Sequence, residues 1–325
     1  MVTIRAKALI LFALGALAAG CRPDLDDRVS IVDAPRILAI RAEPAEARPG
    51  AAVSYAALVG QGPGAEGPPP LRWSFCTARK PLAELGPVSS ACLDEEPGSL
   101  AEIGDGPVVD AVIPKDACRT FGPEVPAPKP GEPAARPVDP DSSGGFFQPV
   151  LLRSGAEGAI SLEQSRIGCG IAGVTPDVLA EFQRRYVVNA NPALAAVSMA
   201  LGDHEIELRP GDPVGEGNRV PAGATVRLRA SWPACGSAPC EGAEPYVVFD
   251  PERRALVERH ESIRIAWFAT DGEFDHDRTG REAGGEPFTD NEWIAPGAPG
   301  PVRLWVVIRD DRGGVGWLDY VVDVR

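Results

Sequence analysis

The sequence predicts a mainly β protein: two β-sandwich domains with one short helix, behind a cleaved leader. Three observations carry this expectation. Glycine and proline contribute 36 and 34 of 325 residues, too many for a helical bundle and suited to short strands joined by turns. Runs of four to ten residues with period-two apolar alternation recur from Ile37 to Val324. Two of these runs share a pattern, an early strand followed by a strand with a central tryptophan, once in each half of the chain.

The leader comes first. Arg5 and Lys7 form a positive start, Ala8 to Leu17 is a short apolar stretch, and small residues follow. This is a secretory layout, shorter than the ~20 residues a membrane span needs. Leu17-Ala18-Ala19-Gly20 runs directly into Cys21 and resembles a bacterial lipobox. The resemblance covers residues 1–21 and implies a lipoprotein. The signal peptide 1–20 is cleaved, the Cys21 thiol takes a diacylglyceryl group, and several acyl chains hold the protein stably on a membrane. Arg22 stands where an inner-membrane retention signal would carry Asp, so the resemblance points to the outer membrane. Residues 21–34 are then the lipidated cysteine and a polar tether, whose residues 22–33 reach at most ~40 Å.

Charge and cysteines narrow the partners. The net charge is −14, and removing a leader with two basic and no acidic residues makes it more negative. Such a surface repels phosphates, so no nucleic-acid partner is expected. Besides Cys21 there are Cys76, Cys92, Cys118, Cys169, Cys235 and Cys240, an even number in an exported chain, which reads as disulfides. Spacing does not fix their connectivity; sequential pairing, 76–92, 118–169 and 235–240, is the expectation. No pair is a Cys-x-x-Cys and there are only three histidines, which disfavours a zinc cluster.

Domain one spans 35–190. Ile37–Arg41 and Ala51–Val59 are strands around the turn signal Pro49-Gly50. In Leu71-Arg72-Trp73-Ser74-Phe75 the apolar residues share one face, with Cys76 on the other. Residues 77–92 make an irregular excursion back to Cys92. The stretch 122–145 is dominated by Pro, Gly and Ala and, taken alone, looks like an interdomain linker. Strand-like runs at Phe146–Leu152 and Ile160–Ile167 follow it, and a 118–169 bridge would make it a long surface loop of domain one. Thr175-Pro176-Asp177 opens the single helix, with Thr as N-cap and Pro at the first helical position, ending near Tyr186. Asn189-Ala190-Asn191-Pro192 marks the domain boundary.

Domain two spans 191–325, with strands at Glu205–Leu208, Thr225–Ser231, Tyr246–Phe249, Ser262–Ala269, Val302–Arg309 and Gly316–Val324. The last two form a hairpin over Arg309–Gly314. Val302, Leu304, Val306 and Ile308 face inward, opposite Leu318, Tyr320, Val322 and Val324. Trp305 and Trp317 then lie on the other face, either packed across the strands or exposed as a ligand platform. The internal repeat pairs Pro49-Gly50-Ala51-Ala52-Val53 with Ala222-Gly223-Ala224-Thr225-Val226, and Trp73 with Trp267. That arrangement resembles immunoglobulin-like and PKD-like sandwiches, where a core Trp packs between two sheets. The antibody-type Cys…Trp…Cys spacing is missing, so the resemblance transfers no binding residues.

Chemistry-bearing motifs are sparse. There is no G-x-S-x-G, P-loop, H-E-x-x-H or G-x-G-x-x-G, and the three histidines are scattered. Forty-six acidic residues offer many carboxylate pairs, too many to point to glycoside chemistry. One acidic run stands out. Asp271, Glu273, Asp275, Asp277, Thr279 and Glu282 fall at the oxygen positions of an EF-hand loop, but His276 occupies the glycine position and no helices flank the run. The sequence thus supports a non-catalytic, lipid-anchored envelope protein acting as a binding, adhesion or scaffold module. It needs no cofactor, and its partners are the membrane and envelope proteins or glycans. The alternative is a calcium-dependent polysaccharide-binding module or a glycan-acting envelope enzyme, resting on the acidic run and the tryptophans.

Overall fold

Period-two alternation builds nearly all of the regular structure in the computed structural model. It describes residues 29–325 apart from 66, 124–126, 132–141, 156–157 and 212–216. The leader and Cys21 lie outside the described residues, as does much of the proline-rich loop 122–145. Among the described residues strands make up 47% and helices 7%.

Domain one contains, in chain order, β1 (Arg36–Glu43), β2 (Glu46–Ala47), β3 (Ala52–Gly60), β4 (Leu71–Cys76), α1 (Ser90–Leu93), β5 (Leu100–Asp105), β6 (Val108–Val112), α2 (Ala117–Phe121), β7 (Gly145–Ser154), β8 (Ala159–Gly168) and α3 (Pro176–Arg185). The expected helix is α3, with Thr175 as N-cap and Pro at the start; α1 and α2 are additional single turns. Sheet β1-β3-β6 faces sheet β2-β8-β7-β4-β5. Trp73 is fully buried between them, stacked 6.0 Å from Tyr55. Its indole N–H, which burial would otherwise strand, donates to the Gly106 carbonyl at 2.7 Å.

Domain two contains β9 (Ala196–Leu201), β10 (His204–Glu207), β11 (Arg219–Val220), β12 (Thr225–Ser231), β13 (Pro245–Asp250), β14 (Ala255–His260), β15 (Ile263–Ala269), β16 (Glu273–Phe274), β17 (Arg278–Arg281), β18 (Phe288–Ile294), β19 (Gly300–Arg309) and β20 (Val315–Val324). Sheet β10-β9-β12-β18-β16 faces sheet β11-β20-β19-β15-β17, and β13-β14 stands apart as an inserted hairpin. The β19–β20 register runs unbroken from Gly300↔Val324 to Arg309↔Val315. It puts Val302, Leu304, Val306, Ile308, Tyr320, Val322 and Val324 in one core with Trp267 and Trp293.

The two domains repeat one topology. Their first sheets correspond as β1-β3-β6 and β9-β12-β18, and their second as β2-β8-β7-β4-β5 and β11-β20-β19-β15-β17. Each second sheet begins with a two-residue strand that pairs in parallel with the last long strand, β2 with β8 and β11 with β20. Both are immunoglobulin-like sandwiches. The sequence echo falls on equivalent positions: Gly50 (φ 80°) and Gly223 (φ 70°) turn the chain into β3 and β12, a conformation that disfavours a side chain. Trp73 and Trp267 occupy the middle of β4 and β15.

The domains are stacked face to face. Leu38, Ala39 and Leu58 on the outer face of β1-β3 pack on Ala266, Phe268, Trp305, Val307, Val315 and Trp317 of the outer face of β15-β19-β20. Arg36 sits over Phe268 and Arg41 over Trp317, at 5.7 and 4.7 Å from the ring centroids. Arg309 Nη2 donates to the Leu38 carbonyl at 3.1 Å. Residues 29–33, counted in the tether on sequence grounds, are docked instead. Ile31 makes a parallel bridge with Ala269, Val32 N donates to Ala269 O at 2.8 Å, and Val32 is fully buried. The apolar pair Ile31-Val32, flanked by Ser30 and Asp33, extends a strand end, which composition alone does not reveal.

Candidate functional site

Cys21 lies outside the described residues. The other six cysteines form Cys76–Cys92, Cys118–Cys169 and Cys235–Cys240. Three disulfides mark an extracytoplasmic location, and no described helix is long and apolar enough to cross a membrane.

Trp305 is 2% exposed, beneath Val32 and Leu38 of domain one. Trp317 is half-buried under Arg41. The ligand-platform alternative for these tryptophans is therefore corrected: domain one occupies that face. They are diagonal and not directly opposite on the hairpin, since Trp305 pairs with Asp319 and Trp317 with Val307.

The acidic run is drawn out, not coiled. Glu273 lies on β16, paired with β18 in one sheet; the run then crosses over, and Thr279 lies on β17, paired with β15 in the other. Asp271 accepts the Gly272 amide, Asp275 meets His276 Nδ1 at 2.8 Å, and Glu282 is 4.0 Å from Arg264. The Asp277 carbonyl accepts the Trp267 amide. Among the described residues no group of three or more His, Cys, Asp or Glu side chains is arranged to hold a metal ion. An EF-hand needs its oxygens wrapped around one point, and a strand-to-strand crossover sends successive side chains apart.

The densest polar constellation lies where the domains join. Arg312, on the β19–β20 turn, is 2% exposed. Its Nη2 donates to Glu244 Oε2 at 2.5 Å, its Nε to Glu261 Oε1 at 2.6 Å, and its Nη1 to the Val187 carbonyl at 3.1 Å. Asp310 accepts from the amides of Arg312 and Gly314 and from Asn189 Nδ2. The boundary segment is held from both sides: Ala190 N donates to Glu244, and Asn191 Nδ2 to Ala42 O at 2.8 Å, while Asn191 Oδ1 accepts from Val315 N at 2.9 Å. Behind it, buried Glu46 pairs with Arg166 Nε at 3.0 Å and accepts from Tyr186 OH and Asn189 N. Burial, reinforced by Asp310, pushes the Glu261 carboxyl up to about 8 against the pull of Arg312. Asp310 is raised by burial too, and Glu163 on β8 is pushed up to about 7 by burial, opposed by Arg309. The sequence marked Asn189–Pro192 only as a boundary and Arg309–Gly314 as a plain polar turn; Glu46, Glu163, Arg166, Glu244 and Glu261 did not stand out.

The seam is wrapped by a clasp. Val247, Phe249 and Leu256 of the β13–β14 hairpin pack on Phe182, Tyr186, Leu179 and Ile171 around α3 of domain one. Beside α3 a groove of about 490 Å³ runs along Ala47, Gly170, Leu179 and Tyr186. A second, about 440 Å³, is lined by Val88, Phe121, Phe147 and Pro149. Leu82 and Leu85, on the excursion closed by Cys76–Cys92, are 51% and 92% exposed.

These features share one end of the molecule. Residues 29–32 enter beside Ala269, which pairs with Leu304. The opposite end of that sheet is the 310–314 turn, where Gly313 lies against Phe147 of domain one. Cys76 closes β4, Cys118 and Cys169 flank β7 and β8, and Cys235–Cys240 sits at the root of the β13–β14 insertion. All three disulfides thus lie away from the N-terminal entry.

No protein-family model matches the chain, and no curated protein does. Among solved structures it aligns with Escherichia coli alpha-2-macroglobulin activated by porcine elastase, at 10% identity and a TM-score of 0.22, covering 91% of this chain and 22% of that one. The Yersinia pseudotuberculosis adhesin InvE aligns at 7% identity and a TM-score of 0.22, covering 87% and 58%. Dimeric latent PorU from Porphyromonas gingivalis aligns at 13% identity and 0.22, covering 90% and 24%. The chain spans about a fifth of the macroglobulin and over half of the adhesin. Similarity at this level carries no argument about what this chain does.

Proposed function

We propose that the chain is a non-catalytic, lipid-anchored protein of the bacterial outer membrane that presents a rigid binding surface to other envelope components. One observation supports this most: the chain enters the folded body at one end, and the disulfide-closed loops, the α3 clasp and the exposed Leu82 and Leu85 stand at the other. Residues 22–28 span at most ~25 Å, so an anchor at Cys21 holds the entry end near the membrane and turns the looped end away from it. The stacked sandwiches transmit that orientation because β1 and β3 are packed on β15, β19 and β20. A polysaccharide-binding role would need a surface other than the Trp305 face.

The test has two parts. Labelled palmitate should enter the wild-type protein and not Cys21→Ser, which should leave the membrane fraction. Photo-cross-linkers at Leu82 and Leu85 should then capture a reproducible envelope component, while the same probe at Thr225, near the entry end, should not. Palmitate-free wild-type protein would overturn the anchor. Equal capture from both ends, or capture from neither, would overturn the presenting surface.

A further inference from the structure

We propose that the domain seam is a proton-linked latch, in which the carboxyls gathered on Arg312 must hold a proton between them for the linker to stay docked. Glu244 and Glu261, 0% and 1% exposed, share one guanidinium, and Asp310, 8% exposed, lies on the same turn and accepts the Arg312 backbone amide. Fully ionised, the cluster would carry two uncompensated negative charges out of contact with water, which burial opposes strongly. Other charged groups do not remove them. The turn adds Asp311, engaged by Ser262 Oγ at 3.2 Å. The hairpin adds Tyr246, whose ring lies 4.7 Å from the Arg312 guanidinium, and Arg259, which acts on Tyr246. The linker contributes no charge, and behind it Glu46 is already matched by Arg166. On the β8 side Glu163 faces Arg309.

The sign follows from linkage. Burial raises Glu261 to about 8 and Asp310 above its ordinary value. The docked state therefore binds protons more tightly than the open one. The stabilisation is complete below the ordinary carboxyl range and is lost as pH rises through the raised values. The latch is thus tightest in acid and loosens progressively as pH rises to about 8.

Hydrogen exchange of the wild-type protein tests this, read as protection factors so that intrinsic rates cancel. The amides of Ala190, Arg312 and Gly314 should lose protection between about pH 6 and about pH 9, while core amides of β4 and β19 keep theirs. Glu261→Gln, which mimics the protonated group, should hold the linker amides protected across the range; Glu163→Gln should leave their loss in place. Infrared difference spectra of Glu163→Gln, which removes the other raised carboxyl, give a second check. A buried carboxylic-acid band should titrate above about pH 6. Its absence there, or parallel loss of protection in wild type and Glu261→Gln, would overturn the latch.

Discussion

Replacing Trp305 by alanine removes a large side chain from the domain interface, where it is 2% exposed. Unfolding midpoints in denaturant should show a loss of ~3–5 kcal/mol, the range for truncating a buried aromatic. A loss under ~1 kcal/mol would mean the face is not buried. Arg312→Ala should be as damaging, ~3–5 kcal/mol, because it strands Glu244 and Glu261 without their cation; a near-neutral midpoint would contradict the network. The two residues differ in how far the sequence revealed them. Trp305 was visible as an apolar residue on the outer face of an alternating strand, with its covering partner unstated. Arg312 was not visible, since Arg-Asp-Asp-Arg-Gly-Gly has the composition of any solvated turn, and it is buried by distant residues: Glu244, Tyr246 and Glu261 around the inserted hairpin and Val187 of the boundary segment.

Among the elements, the disulfides should stabilise in the order of the loops they close. The separations are 51, 16 and 5 residues for Cys118–Cys169, Cys76–Cys92 and Cys235–Cys240. Removing each as a Cys→Ser pair should cost ~4, ~3 and ~2 kcal/mol in the chain-entropy model, measured as shifts in the denaturation midpoint. The reverse order would show that the bridges act through native contacts instead. The element pattern was legible where every second residue is a large apolar one. β19 and β20 were readable almost to the residue, because Val302, Leu304, Val306 and Ile308 hold that period across the strand. β18 was missed because its inward residues include Thr289 and Asn291. Asn291 is satisfied internally by the backbone of His276, to which it donates at 2.7 Å, so a polar residue occupies a core position and the alternation disappears from view. β14 failed similarly: Ala-Leu-Val-Glu-Arg-His has no two-residue period, while in β9 the small Ala and Ser residues between Val197 and Met199 blur the contrast between its faces.

The whole molecule is a stack of four sheets, and its middle layer boundary was the least legible feature. Both faces of β15 and β19 are apolar, which signals burial on both sides and names no partner. The sequence echo between Trp73 and Trp267 revealed two like domains but not that the outer sheet of one lies on the outer sheet of the other. A rigid pair is what lets an anchor at the entry end orient the looped end, so rigidity is the central claim. Paired spin labels at exposed Glu102 on β5 and Glu292 on β18 measure it directly by pulsed dipolar spectroscopy. One narrow distance distribution is expected, broadening in Trp305→Ala. A broad or bimodal distribution in the otherwise unaltered protein would contradict the account, because two sandwiches joined by a loose linker could not hold the looped end at a fixed orientation to the membrane.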